Sequence, residues 1–237
     1  MQFPHLVPGR FLQRDNRFRA NVEVAGQEAW AHVPNSGRLL ELFTPGRAIW
    51  LAPATAPNRK TAYDLKLVEY ASVLVSVDAR SPNPLFAEAL AAGRLPEFPY
   101  PDVQPEVQHG DSRFDFRLSG PQGTCWVETK SVTLVENGLA QFPDAPTSRG
   151  RKHLLGLRAA CLAGDQAAVI FIIQRPDAHR FVPYQETDPE FAEALVQAAA
   201  AGVAVRAFTC QVSQSQITIA AEIPVTLHQE GSTPPGG

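Results

Sequence analysis

Two runs of alternating apolar and polar residues lie side by side in the middle of the chain. Ser112-Arg113-Phe114-Asp115-Phe116-Arg117-Leu118 puts Phe114, Phe116 and Leu118 on one face of a strand and Arg113, Asp115 and Arg117 on the other. Cys125-Trp126-Val127-Glu128-Thr129-Lys130 has the β-branched and aromatic content of a second strand, continuing through 131–135. Ser119-Gly120-Pro121-Gln122-Gly123 between them is a turn by composition. The pair predicts a β-hairpin.

Upstream, residues 1–80 read as short strands broken by Gly/Pro turns, at 9–14, 18–24, 29–33, 48–51, 66–70 and 73–77. In the second of these, Phe18, Ala20, Val22 and Val24 share one side. Many short strands and little helix predict a small barrel or sandwich, and the OB-fold is the small barrel most used on nucleic acids. Ser81-Pro82-Asn83-Pro84 marks a boundary, and Pro84 opens a helix over 85–92 that Gly93 ends. Residues 94–105 hold four prolines and read as an irregular connection. After the hairpin come a turn at 136–138, a loop over 142–150 and a helix that Gly150 precedes and that runs to about Leu162. The unbroken apolar run 167–174 predicts a central strand covered on both faces. Asp188-Pro189 caps a further helix that Gly202 stops. Strands over 203–210 and 216–223 follow. This order fits an α/β sheet with the hairpin at its heart. The domain reading is 1–80, 81–226 and a disordered tail over 227–237.

The chemistry sits on that hairpin. Residues i and i+2 of a strand share a face, so Glu128 and Lys130 point the same way. Asp115 comes near them across the turn. An Asp followed by Glu-x-Lys on the next strand is the core of a PD-(D/E)xK nuclease site. Two carboxylates hold Mg²⁺, with Mn²⁺ as a substitute, because a hard cation prefers oxygen ligands. The lysine orients a water or offsets charge on phosphate oxygens. Asp115, Glu128 and Lys130 are thus the candidate catalytic residues. Glu106, just before the first hairpin strand, and Glu88, on the preceding helix, are further candidate metal ligands. A Glu-x-Lys alone is more often a solvated polar face, so what surrounds it decides.

Arg149, Arg151, Lys152 and His153 crowd the start of the next helix. Basic residues there oppose the helix dipole and call for an anionic partner. Arg10, Arg14, Arg17 and Arg19 are interleaved with Phe11 and Phe18, a pattern that pairs phosphates and stacks bases. The candidate nucleic-acid contacts are Arg10, Arg14, Arg17, Arg38, Arg149, Arg151 and Lys152.

Several blocks in order carry a resemblance: Arg10-Phe11-Leu12-Gln13-Arg14, His32-Val33-Pro34-Asn35-Ser36-Gly37-Arg38-Leu39, the two hairpin strands, and Phe142-Pro143-Asp144-Ala145-Pro146-Thr147-Ser148-Arg149-Gly150-Arg151-Lys152-His153-Leu154. Together they resemble the sugar fermentation stimulation protein family, SfsA. The resemblance implies an OB-like N-terminal domain, a restriction-endonuclease-like PD-(D/E)xK α/β domain, and DNA binding. The family strand usually reads Glu-Val-Lys where this chain has Thr129, and its helix usually carries an acid where this chain has Gly156. Thr129 is expected to face away from the site and to matter little. Gly156 is expected to cost the helix about 1 kcal/mol relative to Ala.

Composition narrows the classes. Hydrophobic residues make up 44% of the chain, enough for a real core. Net charge is −3, which argues against a simple polycation, yet residues 1–80 hold 10 Lys and Arg against 7 Asp and Glu. The basic half is the one expected on nucleic acid. The three cysteines are far apart, with no metal or disulfide spacing. With no apolar run of membrane length and no signal-like N-terminus, a cytoplasmic protein is expected. The expected partner is DNA, with RNA second; a homodimer stays open. Two functions fit: Mg²⁺-dependent hydrolysis of DNA, or DNA binding without turnover by a regulator of sugar-catabolism genes.

Overall fold

The computed structural model describes residues 1–56 and 59–227. The tail expected from 227 therefore lies, from 228 on, outside the described residues. Six strands come first: β1 (Val7–Asn16), β2 (Arg19–Val24), β3 (Gln27–His32), β4 (Ala48–Pro53), β5 (Tyr63–Tyr70) and β6 (Val73–Ser76). They lie in the order β3-β2-β1-β4-β5-β6. β3 also meets β5 in parallel, Ala31 against Tyr63 and His32 against Asp64, which closes the first five strands into an OB barrel. Phe11, Val22, Ile49, Leu51 and Leu65 fill it. Phe18 does not join them. It sits in the β1–β2 turn, one residue before the alternation starts, and is 49% exposed.

The second domain runs α1 (Pro82–Ala91), β7 (Asp102–His109), β8 (Ser112–Gly120), β9 (Gly123–Val132), β10 (Val135–Glu136), β11 (Leu139–Phe142), α2 (Ser148–Leu162), β12 (Gln166–Ile173), β13 (Arg180–Pro183), α3 (Pro189–Ala200), β14 (Ala204–Val212) and β15 (Ile217–Ile223). Its main sheet has the order β15-β14-β12-β9-β8-β7. β12 is parallel to both neighbours, β9 and β14, and every residue after Gln166 is buried, as its unbroken apolar run requires. Leu85, Phe86 and Ala89 of α1 cover one face, over Phe116, Val127, Ile170 and Ile172. Helices α2 and α3 cover the other, over Trp126, Val169 and Phe171. This is a restriction-endonuclease-like mixed α/β domain.

Three expectations change. The proline-rich stretch ends in a strand: β7 pairs with β8 along its length, and Pro105 is tolerated because β7 is the sheet's edge. Helix α2 starts at Ser148 instead of after Gly150, because the Thr147 hydroxyl accepts the Gly150 N–H at 3.0 Å and caps the helix. The first residues leave the barrel for the other domain, where the Phe3 N–H donates to Ser215 O at 2.8 Å.

The two domains are bonded to one another. The Ser76 N–H donates to Gln174 O at 3.0 Å. Arg175, 1% exposed, stacks its guanidinium 5.0 Å from the Tyr70 ring centre and pairs with Asp177 at 2.6 Å. A crevice of about 770 Å³ lies between the domains.

Candidate functional site

The site begins where the β8–β9 ladder stops. The last paired residues are Phe116 and Val127. Beyond them the Asp115 side chain takes the place of a backbone acceptor, and the Thr129 N–H donates to its Oδ2 at 2.8 Å. The simple alternation breaks here. Phe116 and Leu118 pack under α1, but Phe114 packs with the α2 cluster on the opposite face. Glu128 turns toward α2, where His153 Nδ1 and Lys130 Nζ both meet its Oε1, the lysine at 2.5 Å. Thr129 turns toward α1. Its hydroxyl lies 2.5 Å from Asn83 Oδ1 and 3.1 Å from Asp115 Oδ2, and Asn83 Nδ2 donates to Asp115 Oδ1 at 2.9 Å. Thr129 therefore holds the site aspartate, contrary to the expectation that it matters little.

Asp115, Glu128 and Lys130 line the interdomain crevice together, with Glu106 at its edge. Burial, then the nearby charge of Glu128, raises the pKa of Asp115. Burial also acts to raise Glu128, but Lys130 and His153 together outweigh it and bring that carboxyl below its ordinary value. Glu128 is 3% exposed, and its Oε2 is buried with no hydrogen-bond partner. A buried carboxylate oxygen left without a donor is costly unless a cation meets it. Among the described residues no group of three or more His, Cys, Asp or Glu is arranged to hold an ion. Two carboxylates with open positions fit an ion such as Mg²⁺, which keeps several waters and takes substrate phosphate oxygens.

The other predicted residues divide. Arg17 of the barrel and Arg149 of α2 line the crevice. Arg38 is exposed on the barrel loop beside it. Glu106 faces the crevice but pairs with Arg113 at 2.8 Å. Glu88 is not brought to the site; it pairs with the Met1 amino group at 2.6 Å and with Arg94 at 3.5 Å. Arg10 is also elsewhere, donating to Gly46 O at 3.0 Å. Both terminal nitrogens of Arg14 are engaged and its Nε is buried, which leaves nothing to offer a phosphate. Its guanidinium donates to the carbonyls of Gly37, Arg38, Arg17 and Asn35 and folds the loop that walls the crevice. Arg151 pairs with Glu190 of α3, and with Lys152 it lines a separate groove between α2 and α3. An anionic partner for the α2 N-terminus is thus supplied within the chain for Arg151.

Three residues that the sequence brought in for other reasons contribute here. His153 lies one helical turn after Arg149, a spacing that puts both on the same side of α2. Asn83 stands in the proline-rich boundary, at the start of α1. Gly156 has a packing role: a Cβ there would lie 3.0 Å from Phe114 and 3.1 Å from the Ser112 hydroxyl, so its absence lets α2 lie close on β8.

A six-stranded α/β sheet with an acid pair and a lysine at the end of its central hairpin, fused to an OB barrel, defines a protein of the restriction-endonuclease-like class. The family comparison narrows this. The SfsA N-terminal OB domain matches residues 12–77, and the sugar fermentation stimulation protein RE domain matches residues 80–216. The chain belongs to the SfsA family. A sugar fermentation stimulation protein homolog of Desulforamulus reducens is 46% identical over 225 residues, covering 94% of each chain. One of Moorella thermoacetica is 45% identical, covering 94% of this chain and 97% of its own. The structure of Pyrococcus furiosus SfsA in complex with Ca²⁺ superposes with a TM-score of 0.88 at 33% identity, covering 95% of this chain and 98% of that one. No helix among the described residues is long and apolar enough to cross a membrane.

Proposed function

We propose that this chain is a DNA-binding, nuclease-like protein that uses Mg²⁺, or Mn²⁺ in its place, to hydrolyse phosphodiesters. The observation that carries the reading is the buried, unpartnered Oε2 of Glu128 in the crevice that Asp115 and Lys130 also line. The Ca²⁺ of the Pyrococcus furiosus relative supports a divalent-ion site. Asp115 and Glu128 would hold the ion, which when bound polarises the phosphodiester and acidifies a water. Asn83 and Thr129 hold Asp115 in place. Lys130 lies beside the Glu128 carboxylate, where it can orient the attacking water or offset charge on the phosphate. Arg17 and Arg149 grip flanking phosphates from opposite walls. A reducing cytoplasm fits the three free thiols.

A regulator that binds DNA without turnover is the second reading. The site's poverty in acids favours it, since among the described residues no third metal-ligating side chain joins Asp115 and Glu128, and Glu106 is paired with Arg113. Plasmid, single-stranded and branched DNA incubated with Mg²⁺ or Mn²⁺, against EDTA, separates the two. Hydrolysis predicts cutting that chelation abolishes. Binding that falls steeply with salt, with no cutting under either ion, leaves the regulator.

A further inference from the structure

The crevice and the barrel surface next to it differ in shape and in the side chains they present. The crevice has the volume of a small-ligand pocket, room for a nucleotide or two. Its barrel-side rim is fixed. Asp144 accepts the Leu39 N–H at 3.4 Å, and a Cβ on Gly37 would overlap the Asp144 carboxylate, so the two loops close tightly on one another.

Arg17 lines the crevice, and the next residue, Phe18, points into solvent. Trp30, 36% exposed, stands on the outer face of β3, opposite Asn21 of β2. Phe18 and Trp30 are the aromatic residues among the exposed large hydrophobics of the described chain. The Arg19 guanidinium lies 4.5 Å from the Trp30 ring centre. Two acids on this face are engaged, Asp15 with Arg19 at 2.6 Å and Glu28 with Asn21 at 2.8 Å, and a third, Glu23, lies across from Glu28. The β1–β2 turn is held in place, since the Phe18 carbonyl accepts the Val33 N–H at 2.9 Å. Rigid exposed rings beside arginines are how proteins hold single strands, each ring stacking a base regardless of sequence.

We infer that the ligand is single-stranded DNA, its bases stacked on Phe18 and Trp30 and its backbone passing Arg17 into the crevice. This rests on the DNA reading above. It adds that a duplex must fray or open before its phosphodiester reaches Asp115 and Glu128.

The test is binding in EDTA, where no strand is cut. The probes are a short labelled single strand, its duplex, and RNA of the same sequence, titrated by anisotropy at fixed salt. The single DNA strand is expected to bind at least about tenfold tighter than the duplex, as stacking on one exposed ring supplies. The double variant Phe18→Ala, Trp30→Ala is expected to lose about ten- to a hundredfold of single-strand affinity with duplex binding and melting temperature unchanged. Phe18→Tyr with Trp30→Phe keeps the rings and is expected to keep the affinity. Duplex binding as tight as single-strand binding, or a double variant that binds like the parent, overturns this inference and leaves the DNA reading intact. RNA bound more tightly than DNA overturns the assignment to DNA. Failure of every probe to bind, even at low salt, removes the DNA reading itself.

Discussion

Strand β9 borders a hollow at each end, and Cys125 at one end and Glu128 at the other answer burial in opposite ways. At one end Cys125, Tyr100, Cys161 and Asp165 line a cavity of about 330 Å³. Burial there pushes the Cys125 thiol and the Tyr100 phenol each up to about 12. Arg206, the cation in the lining, is held by Glu222 at 2.8 Å. At the other end Glu128 is buried too, but Lys130 and His153 keep its carboxyl ionised. Burial without an opposite charge makes a group neutral and inert. Burial with one makes a fixed charge that can hold an ion. The second condition is met at the carboxyl end of β9, beside parallel β12, where sheets of this kind place their ligands.

Removing the cation at the reactive end is the strongest way to break this contrast. Lys130→Ala is expected to lower DNA cutting about 100- to 1000-fold, measured by plasmid nicking under Mn²⁺. Retention of more than a tenth of the rate would sink the assigned role. His153→Ala should act more gently, weakening Mn²⁺ affinity about 10- to 100-fold by calorimetry, because it orients Glu128 without carrying the ion. Unchanged affinity would make His153 a packing residue only.

The crevice wall depends on a further buried ion pair. Asp78, at the domain junction, accepts from Lys66 at 2.8 Å and from Arg80 at 2.7 Å. Burial acts to raise its pKa, but Arg80 and Lys66 prevail and lower it. The folded value lies below the unfolded one, so its stabilisation is present above the unfolded pKa. It is lost as pH falls through the folded value. Asp78→Asn is expected to cost about 2 kcal/mol near neutral pH, less than a fully buried pair because Lys66 keeps some solvent. In acid the gap between variant and parent should close. A gap that stays constant from neutral to acid pH would show that the charge is not the source.

Much of this was legible in the chain. The barrel strands, the central apolar strand and the helices show in local periodicity, and Glu128 with Lys130 follows from strand geometry alone. What was not legible depends on distant partners. The phase reversal at Asp115 arises because its side chain, not its backbone, bonds Thr129. Arg14 looked like a phosphate contact, yet four loop carbonyls take it, and no local pattern brings those carbonyls together. β7 was hidden by prolines that only an edge position allows. Arg149 and Arg151 are two residues apart, and the turn of α2 sends them to different grooves.

The inert end of β9 yields the smallest effects. Cys125 there, and Cys210 at the opposite end of the sheet on β14, are buried, with thiols pushed up to about 12, and burial raises the half-buried Cys161 as well. In the native protein at mildly alkaline pH a thiol reagent should label Cys161 slowly and the other two only on unfolding. Cys161→Ser should leave DNA affinity and cutting within about twofold, since exposed or half-exposed substitutions away from a site shift energies by roughly 0.5 kcal/mol or less. Rapid labelling of Cys125 would mean that its hollow opens to solvent. The two ends of β9 would then differ in access and not in charge, and the explanation given for their contrast would fail.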